Sequence, residues 1–385
     1  MEKIYYFDNA ATTFPKPNEV YDFMNEFYRN YGVNVGRGQY KLASKANFLV
    51  EETRNLLLDF FNCHNKKVIF TSSATEGINL VLQGLDWEKI KNIYLSPFEH
   101  NSITRTIYFL EKKYQFKVNI LKVDKERLEY DILAIKSQFE KNNPDLVIIS
   151  HISNVCGLVA PVEEIFSISK KYNSINIIDT CQSAGVVDLD LGKDIYDCGI
   201  FAGHKTLYGA LGVGGVIIKE NFKFSPLMYG GTGIESANQD LPKGIPEKYE
   251  VGSKNILSIY GLYSALNWIK EISLEVIKEK EEKNYKKLVE ILKKYSNIKL
   301  VGFKDFWNNK IVVSCVFKNY SSDEIGRVLN KFNIAVRTGL HCSPMAHKFL
   351  ATFPQGTVRF SIGFFNDDED FKKLEEVLDY IEKNS

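Results

Sequence analysis

The chain has 385 residues, of which 44% are hydrophobic and 25% are charged, and its formal net charge is +1 at pH 7. This length is enough for two hydrophobic cores, and the composition is typical of a globular protein. Because neither sign of charge dominates, the sequence gives no reason to expect nucleic acid or an anionic membrane as a partner.

The first residues, MEKIYYFDNAATT, lack the basic start and apolar run of a signal peptide, and no stretch reaches the roughly 18–20 apolar residues of a membrane-spanning helix. We therefore expect no membrane association and a cytoplasmic location. The six cysteines stand without a CxxC pair, at positions 63, 156, 181, 198, 315 and 342. This spacing argues against a zinc site and a disulfide framework, so we expect no metal and a thiol role for any special cysteine.

Seven short β-branched runs alternate with helical patterns between residues 67 and 219. They are Val68–Thr71, Asn92–Ser96, Lys117–Leu121, Leu146–His151, Ile175–Asp179, Gly199–Gly203 and Gly215–Ile218. Because these runs are apolar at successive positions, they are typical of strands buried on both faces. The alternation predicts an α/β fold, with a mainly parallel seven-stranded sheet between helices in a large domain over residues 15–260.

The rest of the chain predicts a smaller α+β domain. Long helices are expected over Leu257–Leu292, and four strands and a closing helix follow at Lys299–Phe303, Ile311–Phe317, Ile334–Thr338, Thr357–Ile362 and Asp368–Glu382. We assign residues 261–385 to this domain and expect residues 1–14 to fold back onto it.

Ligands of open parallel sheets bind beyond the carboxyl ends of the strands, and polar residues follow several of the predicted strands. Ser73 and Glu76 have the spacing of a helix capping box, and a helix N-terminus at this point would suit a phosphate group. His100 and Asn154 follow two further strands. Taken singly, the capping-box pair and His100 are better explained as an ordinary helix cap and a surface residue, and Asn154 could be either a ligand donor or a turn residue.

Asp179 and Lys205 also stand at strand ends. A carboxylate is costly to desolvate there, and a lysine is rare there unless it is paired or reactive. The glycines between 209 and 215 precede a strand rather than open a helix, which argues against a dinucleotide loop. Pyridoxal phosphate requires N–H donors for its phosphate, a stacking partner, donors for its phenolic oxygen, a carboxylate at its ring nitrogen and a lysine for its aldehyde. The combined set therefore predicts a pyridoxal-phosphate enzyme.

Two motifs, Gly203-His204-Lys205 and the segment RTGLHCSP at 337–344, carry a resemblance to a known family. The sequence resembles the class V aminotransferase family of fold-type I pyridoxal-phosphate enzymes, in particular its branch of cysteine desulfurases and selenocysteine lyases. The resemblance extends over nearly the whole chain, from Phe7–Thr13 to Gly356–Ser361. It implies a homodimer with shared active sites.

The resemblance also implies a role for individual positions. It implies that Lys205 binds the cofactor covalently, that Asp179 contacts the pyridine nitrogen, and that Asn154 and Gln182 contact the phenolic oxygen. His100 would stack on the ring and transfer protons. The phosphate would be bound by Ala74, Thr75, His204 and a neighbouring subunit's Ser253. The resemblance also implies that Arg359 binds the α-carboxylate of the substrate, that Asn9 and Arg37 make further substrate contacts, and that Cys342 is the nucleophilic thiol.

Four positions depart from the family pattern. Ala202 stands where a phosphate-binding serine is usual, and Asn101 stands where many relatives have a second histidine. Gly36 and Tyr40 stand at positions that are often histidine, which leaves the substrate contacts of that segment open. The cysteine loop is short, as in the branch that works with a dedicated sulfur-acceptor protein.

The activity implied by the resemblance is the conversion of L-cysteine to L-alanine, with the sulfur transferred to Cys342 as a persulfide. His341 and Arg337 would lower the pKa of the Cys342 thiol and so favour the reactive thiolate. Three alternatives stay open: a lyase acting on L-selenocysteine, another class V transaminase or lyase in which Cys342 is incidental, and a weakly active scaffold that delivers sulfur within a complex.

Overall fold

The computed structural model describes residues 3–35, 38–235 and 237–384. Its strands are β1 Tyr5–Tyr6, β2 Lys66–Thr71, β3 Asn92–Leu95, β4 Lys117–Ile120, β5 Val123–Asp124, β6 Glu129–Tyr130, β7 Leu146–Ser150, β8 Ile175–Asp179, β9 Cys198–Ala202, β10 Gly214–Lys219, β11 Ile298–Val301, β12 Val312–Phe317, β13 Ile334–Ala335, β14 Arg337–Gly339 and β15 Thr357–Ser361. Its helices are α1 Asn18–Tyr31, α2 Lys41–Phe60, α3 Ala74–Gly84, α4 Asn101–Glu111, α5 Ile132–Lys141, α6 Val162–Ser169, α7 Ile256–Ile272, α8 Leu274–Lys293, α9 Ser322–Lys331, α10 Pro344–Phe349 and α11 Asp368–Lys383.

The large sheet has the strand order β2-β10-β9-β8-β7-β3-β4. β10 is antiparallel to both of its neighbours, and the other adjacent pairs are parallel. All seven predicted runs form strands of this sheet, so the prediction of a mainly parallel seven-stranded sheet is confirmed.

Side chains point alternately to the two faces of the large sheet along each strand, and helices cover both faces. Val147 and Ile149 of β7 pack in the cluster that includes residues of α2, α5, α6 and α7. Leu146 and Ile148 of the same strand pack in a second cluster with residues of α3 and α4. A strand enclosed in this way is apolar at every position, which is the pattern that the sequence shows.

A second sheet has the order β11-β12-β15-β14, and its adjacent strands are antiparallel. Apolar residues of α8, α9 and α11 pack with it in a separate cluster, which confirms the expected α+β arrangement. β1 pairs in parallel with β13, so residues 5 and 6 lie beside this part of the fold, and the assignment of residues 1–14 to the smaller domain stays a prediction. The boundaries at residues 14/15 and 260/261 stay a prediction; residue 260 lies inside α7.

Among the described residues, no helix is both long enough and apolar enough to cross a membrane. In the same part of the chain, no three His, Cys, Asp or Glu side chains are grouped so that they would hold a metal ion.

The turn between β3 and α4 buries a carboxyl group at the carboxyl edge of the large sheet. Glu99 is fully buried, and its carboxyl oxygens accept hydrogen bonds from the Ser150 N–H (2.8 Å) and the Ser150 hydroxyl (2.7 Å) at the end of β7. Burial raises the pKa of Glu99 to about 7, because desolvation of the anion outweighs these hydrogen bonds. Glu99 therefore ties two neighbouring strand ends together.

Replacing Glu99 by Gln is expected to change how stability depends on pH. The folded-state pKa lies above the ordinary value of 4.5, so Glu99 stabilises the fold below pH 4.5 and loses that contribution as the pH rises to about 7. Relative to the variant, the wild-type protein should lose roughly 2 kcal/mol of unfolding free energy between pH 5 and pH 8. Urea unfolding of the apoprotein at several pH values measures this loss.

The exposed Glu279→Gln is the matched control, since it makes the same change at the surface. An unfolding free-energy difference between wild type and Glu99→Gln that stays constant from pH 5 to pH 8 would contradict the role given to burial.

Candidate active site

A cavity of about 180 Å³ lies at the carboxyl ends of the parallel strands. It is lined by eight of the residues that the sequence predicted for a cofactor: Ala74, Thr75, His100, Asn154, Asp179, Gln182, His204 and Lys205. These residues are separated by up to 131 positions in the chain, from Ala74 to Lys205, and converge because six of the strands run in one direction.

One end of the cavity is the N-terminus of α3. The Ser73 hydroxyl caps this helix by accepting a hydrogen bond from the Glu76 N–H at 3.2 Å. The predicted capping box is formed only in part, because the Glu76 carboxylate accepts from the Ser72 N–H (2.8 Å) and the Ser72 hydroxyl instead. The first N–H groups of a helix have no partner within it, so this end of the cavity suits an anion.

Gly214, at the start of β10, packs directly against this helix end. A Cβ atom at Gly214 would lie 2.7 Å from the Ala74 nitrogen, which is too close for any side chain. The absence of a side chain at Gly214 therefore lets β10 approach the α3 N-terminus without covering its N–H groups.

Two polar groups at the cavity lack partners among the described residues. Gln182 donates from Nε2 to the Ala10 carbonyl at 2.8 Å, but its buried Oε1 has no hydrogen-bond partner. The buried Nδ1 of His204 also has none. Buried polar atoms are costly when they are unpaired, so their position at a cavity fits a bound polar group.

Asp179 ends β8 with a buried carboxylate, and one of its oxygens accepts a hydrogen bond from the Cys181 N–H at 2.9 Å. Together with the unpaired His204 ring nitrogen and the α3 N-terminus, this carboxylate gives the cavity groups suited to the ring nitrogen and the phosphate of pyridoxal phosphate. The residues present therefore fit that cofactor.

His100 is held at the first turn of α4, where its Nδ1 accepts a hydrogen bond from the Ser102 N–H at 3.1 Å. Burial, followed by the positive charge of Lys205, lowers the pKa of His100 to about 4. The ring is therefore neutral near pH 7, with Nδ1 as an acceptor and Nε2 as the N–H donor. A neutral ring is suited to stacking on a flat cofactor.

Lys205 lies in the turn that follows β9 and lines the cavity. The chain is fixed again three residues later, where the buried Tyr208 hydroxyl contacts the Glu281 carboxyl group on α8 and accepts from the Phe364 N–H at 2.9 Å. The backbone that carries Lys205 is thus anchored to α8 and to the chain after β15.

Arg359, on β15, is 2% exposed. Its guanidinium pairs with Asp8 at 2.7 Å and donates to the Asn154 carbonyl at 3.0 Å, whereas its buried Nε has no partner in the described chain. Burial lowers the pKa of Arg359, and the Asp8 carboxylate opposes that change. The unused N–H gives Arg359 the capacity to bind a further carboxylate.

Of the six cysteines, Cys342 alone is partly exposed, and the other five are buried. Burial raises the pKa of each buried thiol, which makes it a poor nucleophile. The Cys342 sulfur accepts from the Arg337 guanidinium at 3.4 Å. Cys342 also lines an open groove of about 560 Å³ that shares Thr75, His100 and Ser102 with the cavity.

The cysteine loop is fixed by hydrogen bonds to the start of α4 and to the turn after β7. The Cys342 carbonyl accepts from the Asn101 N–H, and the Asn154 side chain donates to the His341 carbonyl and accepts from the Ser343 hydroxyl, each at 2.7 Å. His341 and Cys342 have backbone φ angles of 48° and 58°, which non-glycine residues adopt only when the surroundings hold them there.

The hypothesis that His341 supplies positive charge to Cys342 is not supported by its position. The His341 ring is buried and lies within hydrogen-bond distance of the Thr357 hydroxyl at Nε2 (2.8 Å). Burial, reinforced by Arg359, lowers the pKa of His341 to about 2, so the ring is neutral. Arg337 is therefore the cation that contacts the Cys342 sulfur.

Four predicted residues of the described chain do not line the cavity: Arg359 and Cys342, described above, and Asn9 and Ser253. Asn9 is buried and donates to the Ser361 carbonyl at 3.1 Å. Ser253 lines a separate pocket beside Glu250, which forms a buried ion pair with Arg54 at 2.6 Å. Arg37, like Gly36, lies outside the described residues. The roles of Asn9, Ser253 and Arg37 stay predictions.

Sequence reasoning did not identify Asp8 or the link from Asn154 to the cysteine loop. Asp8 stands beside the buried Phe7 and so carries a weak signal, since an acid next to a core residue needs a partner. The hydrogen bond from Asn154 to the His341 carbonyl joins residues 187 positions apart, and no local sequence pattern predicts it.

Comparison with known proteins agrees with the geometry of the site. A model of the class V aminotransferases, which depend on pyridoxal phosphate, matches residues 5–374. A probable cysteine desulfurase of Pyrococcus abyssi is 31% identical over 390 residues, covering 100% of this chain and 95% of that protein. A probable cysteine desulfurase of Borreliella burgdorferi is also 31% identical, covering 95% of this chain and 89% of that protein.

Among solved structures, the apo form of a cysteine desulfurase from Thermococcus onnurineus has a TM-score of 0.91 to this fold. It is 29% identical, and the superposition covers 99% of this chain and 95% of the other. The chain belongs to the class V aminotransferase family.

Proposed function

We propose that the protein is a pyridoxal-phosphate-dependent cysteine desulfurase that converts L-cysteine to L-alanine. The observation that carries the proposal is the position of Cys342: the one partly exposed thiol of the described chain contacts Arg337 and lines a groove that shares Thr75, His100 and Ser102 with the cavity of Lys205. A transaminase has no use for a thiol at this point. The cysteine desulfurases among the similar proteins support the same assignment.

The cofactor residues in this proposal are the eight that line the cavity. Lys205 would bind the cofactor aldehyde, Asp179 the ring nitrogen, and Gln182 and Asn154 the phenolic oxygen. His100 would serve as the stacking partner of the ring, and Ala74, Thr75 and His204 would bind the phosphate. When bound, the cofactor supplies an electron sink that stabilises negative charge at the substrate α-carbon.

The chain's own residues then act on the substrate directly. Arg359 holds the α-carboxylate with its guanidinium, and the Lys205 amine moves the proton at the α-carbon. The Cys342 thiolate attacks the substrate sulfur. A bond forms between the two sulfurs, the substrate C–S bond breaks, and its electron pair stays on carbon, which takes a proton to give alanine. Cys342 is left as a persulfide.

We also propose binding partners and a cellular location for the protein. We expect a homodimer in which Ser253 reaches the neighbouring subunit's phosphate site, and a sulfur-acceptor protein that removes the persulfide sulfur. A cytoplasmic location accords with six unpaired cysteines. Relative rates with L-cysteine and L-selenocysteine distinguish a desulfurase from a selenocysteine lyase.

Replacing Cys342 by Ala should lower alanine formation from L-cysteine at least about 100-fold, because the nucleophile for the substrate sulfur is lost. Cofactor absorbance should be retained, since Cys342 does not line the cofactor cavity. Alanine and sulfide are measured together under anaerobic conditions. The control is Cys63→Ala, a buried thiol away from the site, which should keep its activity; unchanged alanine formation in Cys342→Ala would rule out the mechanism.

Replacing Lys205 by Ala should abolish covalent cofactor attachment, because no other lysine lines the cavity within the described chain. Borohydride reduction followed by peptide mass analysis should find the cofactor on Lys205 in wild type and on no residue in the variant. A reduced adduct at a different lysine would refute the assignment.

Replacing Arg359 by Lys should lower kcat/KM for L-cysteine roughly 10- to 100-fold, because an ammonium cannot pair with a carboxylate through two parallel bonds. Steady-state kinetics with the loaded enzyme measures the change. The exposed Arg327→Lys makes the same substitution away from the site and should leave kcat/KM unchanged. Equal effects of the two substitutions would contradict a substrate role for Arg359.

A further inference from the structure

The carbonyl group of His204, in the peptide that leads into Lys205, is surrounded by donors from one short segment. It accepts hydrogen bonds from the Lys16 ammonium (2.6 Å), the Thr12 hydroxyl (2.9 Å) and the Thr13 N–H (3.2 Å), whereas the Thr13 hydroxyl lies closer to the Lys205 carbonyl (3.1 Å) than to that of His204 (3.3 Å). A carbonyl oxygen has two lone pairs, so three donors exceed what it needs for simple satisfaction. The convergence therefore fixes the direction of this peptide.

Lys16 is the charged member of this group. It is half-buried, and its ammonium also donates to the Thr13 hydroxyl at 2.6 Å. No carboxylate of the described residues forms an ion pair with it. Burial lowers the pKa of Lys16 to about 7, so the group is an ammonium below that pH and a neutral amine donor above it. A half-buried ammonium without a counter-ion is costly, and its strongest contacts here are the His204 carbonyl and the neighbouring hydroxyl.

The same segment supports two further parts of the cavity. The Asp8 carboxylate pairs with Arg359 at 2.7 Å, and the Ala10 carbonyl accepts from Gln182 at 2.8 Å. In chain order, residues 8–16 thus contact the substrate arginine Arg359, Gln182 in the wall of the cofactor cavity, and the carbonyl groups of His204 and Lys205.

We propose that Lys16 is a positioning residue: through the His204 carbonyl, its ammonium sets the orientation of the peptide from which Lys205 extends. This inference rests on the proposed function, in which Lys205 binds the cofactor aldehyde. Lys16 does not line the cavity, so it acts through the backbone and not by touching cofactor or substrate. Loss of its charged donor leaves the carbonyl with weaker neutral donors and lets the Lys205 side chain shift.

Lys16→Met removes the ammonium and keeps most of the side-chain volume, whereas Lys16→Arg keeps a cation that can reach the carbonyl. Each variant is prepared as the full chain, stripped of cofactor and titrated with pyridoxal phosphate. Lys16→Met should bind the cofactor about tenfold more weakly, and the midpoint of its visible absorbance change with pH should shift. Lys16→Arg should restore both quantities to within about twofold of wild type.

The matched control is Lys170→Met. Lys170 is also half-buried and also donates to a carbonyl, that of Ser174 (2.8 Å), but it lies at the opposite end of the strands beside Asp197. The Lys170→Met substitution should lower the melting temperature of the apoprotein without changing the pH midpoint of the visible absorbance change. A purely structural role for Lys16 would give this same pattern, and that result would overturn the inference.

Should Lys16→Met fail to fold, Thr12→Val removes another donor to the same carbonyl and should shift the midpoint in the same direction by a smaller amount. Unchanged affinity and midpoint in Thr12→Val would then overturn the inference. Borohydride trapping of the cofactor in the wild-type protein distinguishes failure of the proposed function from failure of the inference about Lys16. A missing Lys205 adduct refutes the proposed function together with the inference, whereas a normal adduct with an unchanged Lys16→Met refutes the inference alone.

Discussion

The ion pair between Asp8 and Arg359 joins two parts of the fold that meet at the site. Arg359 is almost fully buried, and leaving such a charge without its partner typically costs about 3–5 kcal/mol, against 0–1 kcal/mol for an exposed pair. The pair therefore holds the N-terminal segment against β15. Once the segment is placed there, Ala10 lies against Gln182, and Lys16 lies against the His204 carbonyl.

This arrangement explains why the site is assembled from both sheets. The large sheet contributes residues from its strand ends, which meet because the strands are parallel. The small sheet contributes Arg337 and Arg359, which face each other across β14 and β15. Two neighbouring guanidinium groups repel each other, and the Asp8 carboxylate and the Cys342 sulfur each lie against one of them. The thiol is thereby placed where a positive charge already exists.

The strands, the small α+β part and the strand-end residues His100, Asn154, Asp179 and Lys205 could be predicted from local patterns in the sequence. The other predicted residues that line the cavity, Ala74, Thr75, Gln182 and His204, were assigned only through the family resemblance. An apolar run such as Leu146–Ser150 identifies a doubly covered strand, and a polar residue directly after it marks a strand end. The contacts of Asp8 with Arg359 and of Asn154 with His341 span 351 and 187 positions. The burial of the His341 ring beside Thr357 is likewise a matter of packing, so residue order suggested His341 as a second cation beside Arg337, which does contact the sulfur.

Positive backbone φ angles at His341 and Cys342, together with three hydrogen bonds to Asn101 and Asn154, hold the backbone of the cysteine loop in place. An added sulfur atom lengthens the Cys342 side chain by one bond of about 2 Å. In the proposed function, the persulfide would therefore have a short reach from this fixed backbone, and the recipient of the sulfur would have to enter the groove that Cys342 lines.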